Sequence, residues 1–208
     1  MVHRSKPAVD VLRRFNCRSN NDIDRLEVRL GTPDDLATLF ETSWGETAAA
    51  GVRFATTSGL GENRMTPRQI VRLLQDLDHE SRQSDLEPRS VLPVAGCDPG
   101  TLESFFPTLN SDPYAGTVVG KTGSLHYTDR GVSAFAGIAR TTQGDVAFAA
   151  IYPRAGRRLH WARRMQERLV VDLIDAAGGP SPRACQPAPP GPEDGAAVFD
   201  AGRDAVPV

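Results

Sequence analysis

Up to about residue 80, apolar positions recur at helical spacing; beyond residue 116 they alternate or run together as in a sheet. Val9, Leu12 and Phe15 predict a short helix over residues 9–16. Ile23, Leu26, Val28 and Leu30 predict a second over 22–30, ending at Gly31. Pro33-Asp34-Asp35 starts a third towards Trp44, with acidic residues in the first turn, where the helix dipole favours them. Residues 52–56 read as a strand. Thr66-Pro67 then supplies an N-cap and a first helical residue for an amphipathic helix burying Ile70, Val71, Leu73, Leu74 and Leu77. Residues 87–113, rich in Pro and Gly, predict loop with a short helix over 102–106. Residues 117–122, 132–140 and 146–152 predict three strands, the last two joined by a turn around Gln143-Gly144. Both faces of that last pair are apolar, so the sheet should be covered on two sides. A final helix over 157–177, with Ala162, Met165, Leu169, Leu173 and Ala177 in register, supplies one cover.

Composition narrows the class. Residues 1–178 predict one unit, long enough to bury about 70% of the surface of its unfolded chain. From Gly178-Gly179-Pro180 the chain turns to Pro, Ala and Gly, so residues 179–208 are expected to be a disordered tail. The net charge of −2, with signs mixed, gives no basic footprint for nucleic acid. No apolar run approaches the roughly 20 residues of a membrane span. The opening Met1-Val2-His3-Arg4-Ser5-Lys6 leads to no signal-peptide apolar region. Cys17, Cys97 and Cys185 have neither an even count nor metal-ligand spacing; free thiols are expected at the first two, with no disulfide framework. His79, His126 and His160 are scattered, and no phosphate-cradling loop occurs, so neither metal nor cofactor is expected.

Two short motifs carry candidate chemistry. Lys121-Thr122-Gly123-Ser124 places an ammonium, hydroxyls and a Gly-exposed backbone on a strand edge, suited to a carboxylate beside a reacting carbonyl. Lys6 and Lys121 are the only lysines in a chain that otherwise uses arginine. Taken alone, K-T-G equally fits a glycine turn with a solvated lysine. Ser19-Asn20-Asn21 forms an S-x-N triplet ahead of a helical pattern, where Ser and Asn also serve as N-caps.

The succession is more specific than either motif. S-x-N, then Thr57-Ser58-Gly59-Leu60-Gly61-Glu62-Asn63-Arg64-Met65-Thr66-Pro67, Leu92-Pro93-Val94-Ala95-Gly96, Gly100-Thr101-Leu102 and the K-T-G-S-L run together resemble the D-alanyl-D-alanine carboxypeptidase/endopeptidase family of low-molecular-mass penicillin-binding proteins. The resemblance covers roughly residues 5–177 and only the C-terminal part of that family. It implies an α/β (α+β) architecture: part of a serine β-lactamase/penicillin-binding-protein transpeptidase-like fold, an antiparallel sheet covered by helices. It also implies acyl transfer through a serine ester, with peptidoglycan stem peptide and β-lactams as ligands and an extracytoplasmic location for the full-length family.

By that resemblance, Ser19 relays a proton to the leaving amine, Asn21 holds the substrate amide and Lys121 supports the proton network. Thr122 engages the terminal carboxylate, and Gly123 and Ser124 expose the backbone, the Ser124 N–H being one oxyanion donor. The family's S-x-x-K is missing: His3 and Val118 stand three residues before the two lysines. The chain is therefore expected to be inactive alone, whether as a shortened sequence, as a piece working with a separate N-terminal half, or as a degenerate relative that binds cell-wall peptide or a protein partner. Thr57 replaces an acid usual before S-G-L, and the 126–130 loop is longer than usual.

Overall fold

A computed structural model describes residues 7–27 and 31–185. Helix α1 (Ala8–Arg18) leads into a 3-10 helix (Asn21–Leu26), and α2 (Pro33–Trp44) and the short α3 (Glu46–Ala49) follow. After a long loop come α4 (Pro67–Gln83), α5 (Thr101–Phe105), the strands β1 (Val118–Leu125), β2 (Val132–Thr141) and β3 (Gly144–Pro153), and finally α6 (Leu159–Ala176). The sheet has order β1-β2-β3 and is antiparallel throughout. This is the mixed helix and antiparallel-sheet architecture implied by the resemblance.

Local chemistry sets the helix starts. Thr32 and Thr66 each accept from the backbone N–H three residues on, with Pro33 and Pro67 at the first helical position. The sheet is covered on both sides, by α4 against β3 and by α6 against β2. Beneath α6, Phe106 stacks on Phe135 at 4.2 Å and Phe148 meets Phe135 edge-on at 5.0 Å. Leu102, Leu109, Val118, Val170 and Ile174 complete this core. A smaller cluster joins Phe40, Trp44 and Ala49 under α4. Gly137 lets β1 and β2 close up: a Cβ there would lie 2.3 Å from the Val119 carbonyl oxygen.

Four expectations change. Residues 52–56 form no strand, only a bridge between Arg53 and Arg64, because Asn63 folds back to satisfy the Ala55 and Thr56 N–H groups. The helix expected over 22–30 is a 3-10 helix ending at Leu26, and 28–30 lie outside the described residues. Cys97 is not a free thiol: it is disulfide-bonded to Cys185, whereas Cys17 is free and buried. Residues 179–185 are also held. Pro180 bridges to Thr141, the Ser181 N–H donates to the Arg140 carbonyl, and the Arg183 N–H donates to that of Gly116. The rest of the expected tail, 186–208, lies outside the described residues.

Candidate functional site

Residues 91–98 are a clamp on which two distant segments meet. Helix α1 docks there through Arg13, whose guanidinium reaches the two Asp98 carboxylate oxygens at 2.8 and 2.9 Å in a buried pair. Asn16 adds a hydrogen bond to the Val91 carbonyl, and Asp98 also accepts from the Val94 N–H. Strand β1 pairs with the same loop: the Ala95 N–H donates to Val118, and the Gly120 N–H to Pro93. Pairing stops at Gly120, so among the described residues the outer edge of β1 is open from Lys121 onward.

The end of α1 arrives at this opening. Ser19 caps the helix in the left-handed conformation (φ 53°, ψ 48°), turning the chain outward. Lys121 Nζ donates to Ser19 Oγ at 2.7 Å and to the Thr122 carbonyl at 2.7 Å. The close approach depends on Gly100, at φ +126°, where a Cβ would lie 2.1 Å from the Cys17 carbonyl oxygen. Beside it, Thr122 Oγ1 donates to Thr101 Oγ1 at 2.8 Å, and Thr101 reaches the Cys17 carbonyl at 3.4 Å.

The capping role open to the S-x-N triplet falls to its middle residue. Asn20 Oδ1 accepts from the Asp22 N–H, leaving Ser19 to Lys121. Asn21 is exposed two positions beyond Ser19, and its side chain bonds no described group. The 3-10 helix then fixes the second wall: Asp24 Oδ1 accepts from Thr57 Oγ1 at 2.7 Å and from the Ser58 N–H at 2.6 Å. The carboxylate missing from position 57 is thus supplied to that loop from another segment. Asp129, in the longer loop after K-T-G-S-L, pairs with Arg64.

Burial pushes the Lys121 ammonium down to about 8, and among the described residues no carboxylate opposes the shift. The neighbouring Cys17 opposes that shift in part, and burial, reinforced by Asp98, raises its own thiol to about 11, so that it is protonated at neutral pH. A lysine tuned near neutrality and bonded to a serine hydroxyl can accept or return a proton. Among the described residues no cluster of His, Cys, Asp and Glu could hold a metal ion.

The structure thus brings Ser19, Lys121 and Thr122 together, with Asn21, Gly123 and Ser124 adjoining them in the chain. Sequence reasoning missed Asp24, Thr101 and Arg163, whose Nη2 donates to Ser124 Oγ at 2.9 Å. Thr101 lies within a motif already noted, whereas nothing in the local sequence separates Arg163 from the other arginines of α6.

The family model described as D-Ala-D-Ala carboxypeptidase 3 (S13) matches residues 1–166. The chain belongs to that family. No curated protein matches it. Among solved structures it resembles the Bd3459 predatory endopeptidase of Bdellovibrio bacteriovorus in complex with the immunity protein Bd3460. The identity is 24% and the TM-score 0.76, over 89% of this chain and 48% of that one. The penicillin G-acylated form of that complex gives 24% identity and TM-score 0.74, over 86% and 48%. The Bd0816 predatory endopeptidase of the same organism, also with Bd3460, gives 23% and 0.69, over 86% and 46%. The S13 chain described here thus spans about half the length of these structures, and at such identity the likeness establishes the fold.

Proposed function

We propose that the chain supplies the S-x-N and K-T-G-S part of a serine-type D-alanyl-D-alanine carboxypeptidase that cuts peptidoglycan stem peptides through an acyl-serine intermediate. The observation that carries this is the 2.7 Å Lys121–Ser19 hydrogen bond at the open edge of β1. An extended peptide adds to that edge as a further strand, main chain to main chain. Asn21 holds its amide. A serine from an S-x-x-K segment gives its proton to the lysine of that segment and attacks the carbonyl of the penultimate D-alanine. The C–N bond breaks, and the leaving nitrogen takes a proton relayed through Ser19 from Lys121, while the first lysine's proton returns through the same network to Lys121. Water then cleaves the ester. The Ser124 N–H faces the developing oxyanion, with its companion donor on the nucleophile segment. The family assignment supports this scheme, as does the acylated Bd3459 relative. The Cys97–Cys185 disulfide supports work in an oxidising, extracytoplasmic compartment.

The test uses labelled penicillin and N-acetyl-D-alanyl-D-alanine. The chain alone should form no covalent adduct, since loss of the nucleophile in a comparable enzyme lowers turnover roughly a millionfold. It should still bind the peptide, and Ser19→Ala and Lys121→Ala should weaken that binding. An adduct on a serine of this chain, or failure to bind the peptide, overturns the proposal. The alternative reading is a non-catalytic binder of cell-wall peptide or a protein partner. Adding an S-x-x-K-bearing N-terminal segment decides between them: a penicillin adduct supports the enzyme, and unchanged binding without one supports the binder.

A further inference from the structure

Arg163 carries a charge that nothing among the described residues neutralises. It projects from α6 onto the outer part of β1, with its guanidinium carbon 3.4 Å from the centre of the Phe105 ring. Its one hydrogen bond to a described group runs from Nη2 to Ser124 Oγ, and its Nε is buried without a partner. No described carboxylate pairs with it, although Arg168 on the same helix pairs with Asp172. Burial alone shifts its titration, lowering the pKa from the usual arginine range, and no acid pulls it back. The guanidinium stays charged at neutral pH all the same.

Packing alone does not account for this arrangement. A neutral side chain could cover Phe105 without burying a charge, whereas a half-buried cation lacking a counter-ion is unfavourable unless an anion arrives. The neighbouring hydroxyls point the same way. Thr122 already gives its proton to Thr101. Ser124 accepts from Arg163, which leaves its own O–H to donate. Among the side chains that meet at the Thr122 and Ser124 hydroxyls, the donors left over are therefore the rest of the Arg163 fork and the Ser124 hydroxyl.

We propose that Arg163, steadied by Phe105 and acting with Ser124, binds the terminal carboxylate of the peptide in the β1 cleft and sets the preference for a free C-terminus. This rests on the cleft being a peptide site, as proposed above. It shifts carboxylate recognition from Thr122 towards Ser124 and Arg163, with Thr101 holding Thr122 back.

The experiment compares N-acetyl-D-alanyl-D-alanine with its C-terminal amide by calorimetry, and follows the Arg163 Nε resonance during titration with each peptide and with acetate. The free acid should bind about tenfold or more tightly than the amide, and acetate should shift the Nε signal. Arg163→Gln should remove the acid preference while leaving amide affinity within about twofold, and Arg163→Lys should keep part of it. Should Arg163→Gln fail to fold, Arg163→Lys and Ser124→Ala, each expected to reduce the preference, carry the test. Equal weakening of acid and amide, or a silent Nε signal, overturns the inference even if the peptide binds. If neither peptide binds yet acetate shifts Nε, the peptide-cleft reading fails and Arg163 stands as an anion site.

Discussion

Strand β1 is two structures in one. Over residues 118–120 it is hydrogen-bonded on both edges, to β2 and to the 91–98 loop, and is buried. From Lys121 onward it keeps β2 but has no described partner on its outer edge, and it carries every K-T-G-S residue. The closed part provides position, and the open part keeps unpaired backbone groups and a lysine whose charge is disfavoured by burial. Rigidity and reactivity are thus separated by one residue, with the precision of the second borrowed from the first.

The largest effect should come from breaking the clamp beneath the closed part. Asp98→Ala strands the buried Arg13 charge and should cost about 3–5 kcal/mol in urea unfolding. A loss below about 1 kcal/mol would mean that α1 is held elsewhere. Next is Cys185→Ser, or reduction of the wild type, which frees the same loop from the 179–185 segment. Opening a loop of sequence separation 88 should lower stability by about 2–4 kcal/mol. Unchanged unfolding after reduction would remove the disulfide from this account.

On the open part the sign should reverse. Lys121→Met removes a charge disfavoured by burial, so stability should be unchanged or slightly raised while peptide binding is lost. Clear destabilisation would show that the lysine is structural. The same lysine should also set a pH dependence. With its folded pKa near 8 against an ordinary 10.5, Lys121 releases its proton earlier in the folded than in the unfolded chain. The unfolded state therefore binds more protons between about pH 8 and 10.5, and stability should rise across that window; below it, the charged lysine is a net penalty. Lys121→Met should flatten this rise. Because Lys6 is the only other lysine, isotopic methylation of the lysines gives two readily separated side-chain signals, and titration of Lys121 near 10.5 would refute the shift.

Much of this frame was legible in the chain. The change from helical to sheet period located β2 and β3 almost to the residue, and Thr66-Pro67 marked the start of α4. The succession of motifs placed Ser19 near Lys121 before any contact was visible. What escaped was whatever depends on one distant partner. The Arg13–Asp98 pair spans 85 positions, and nothing in the local sequence of either residue marks it. Three cysteines allow several pairings, and Cys185 lies in a stretch whose composition argues against order. Arg163 is one of several arginines on α6 and is set apart only by what faces it.

The Ser19–Lys121 contact spans 102 positions, and the clamp that enforces it closes a loop nearly as long. The β2–β3 hairpin, by contrast, joins neighbours across a tight turn and can form within microseconds. Loop-closure entropy therefore orders the folding of this chain, with the hairpin and the helix that covers it first and the docking of α1 last. The site is assembled at the end of folding and is the first feature to be lost when α1 lifts away, so loss of peptide binding should precede loss of the sheet on mild denaturation.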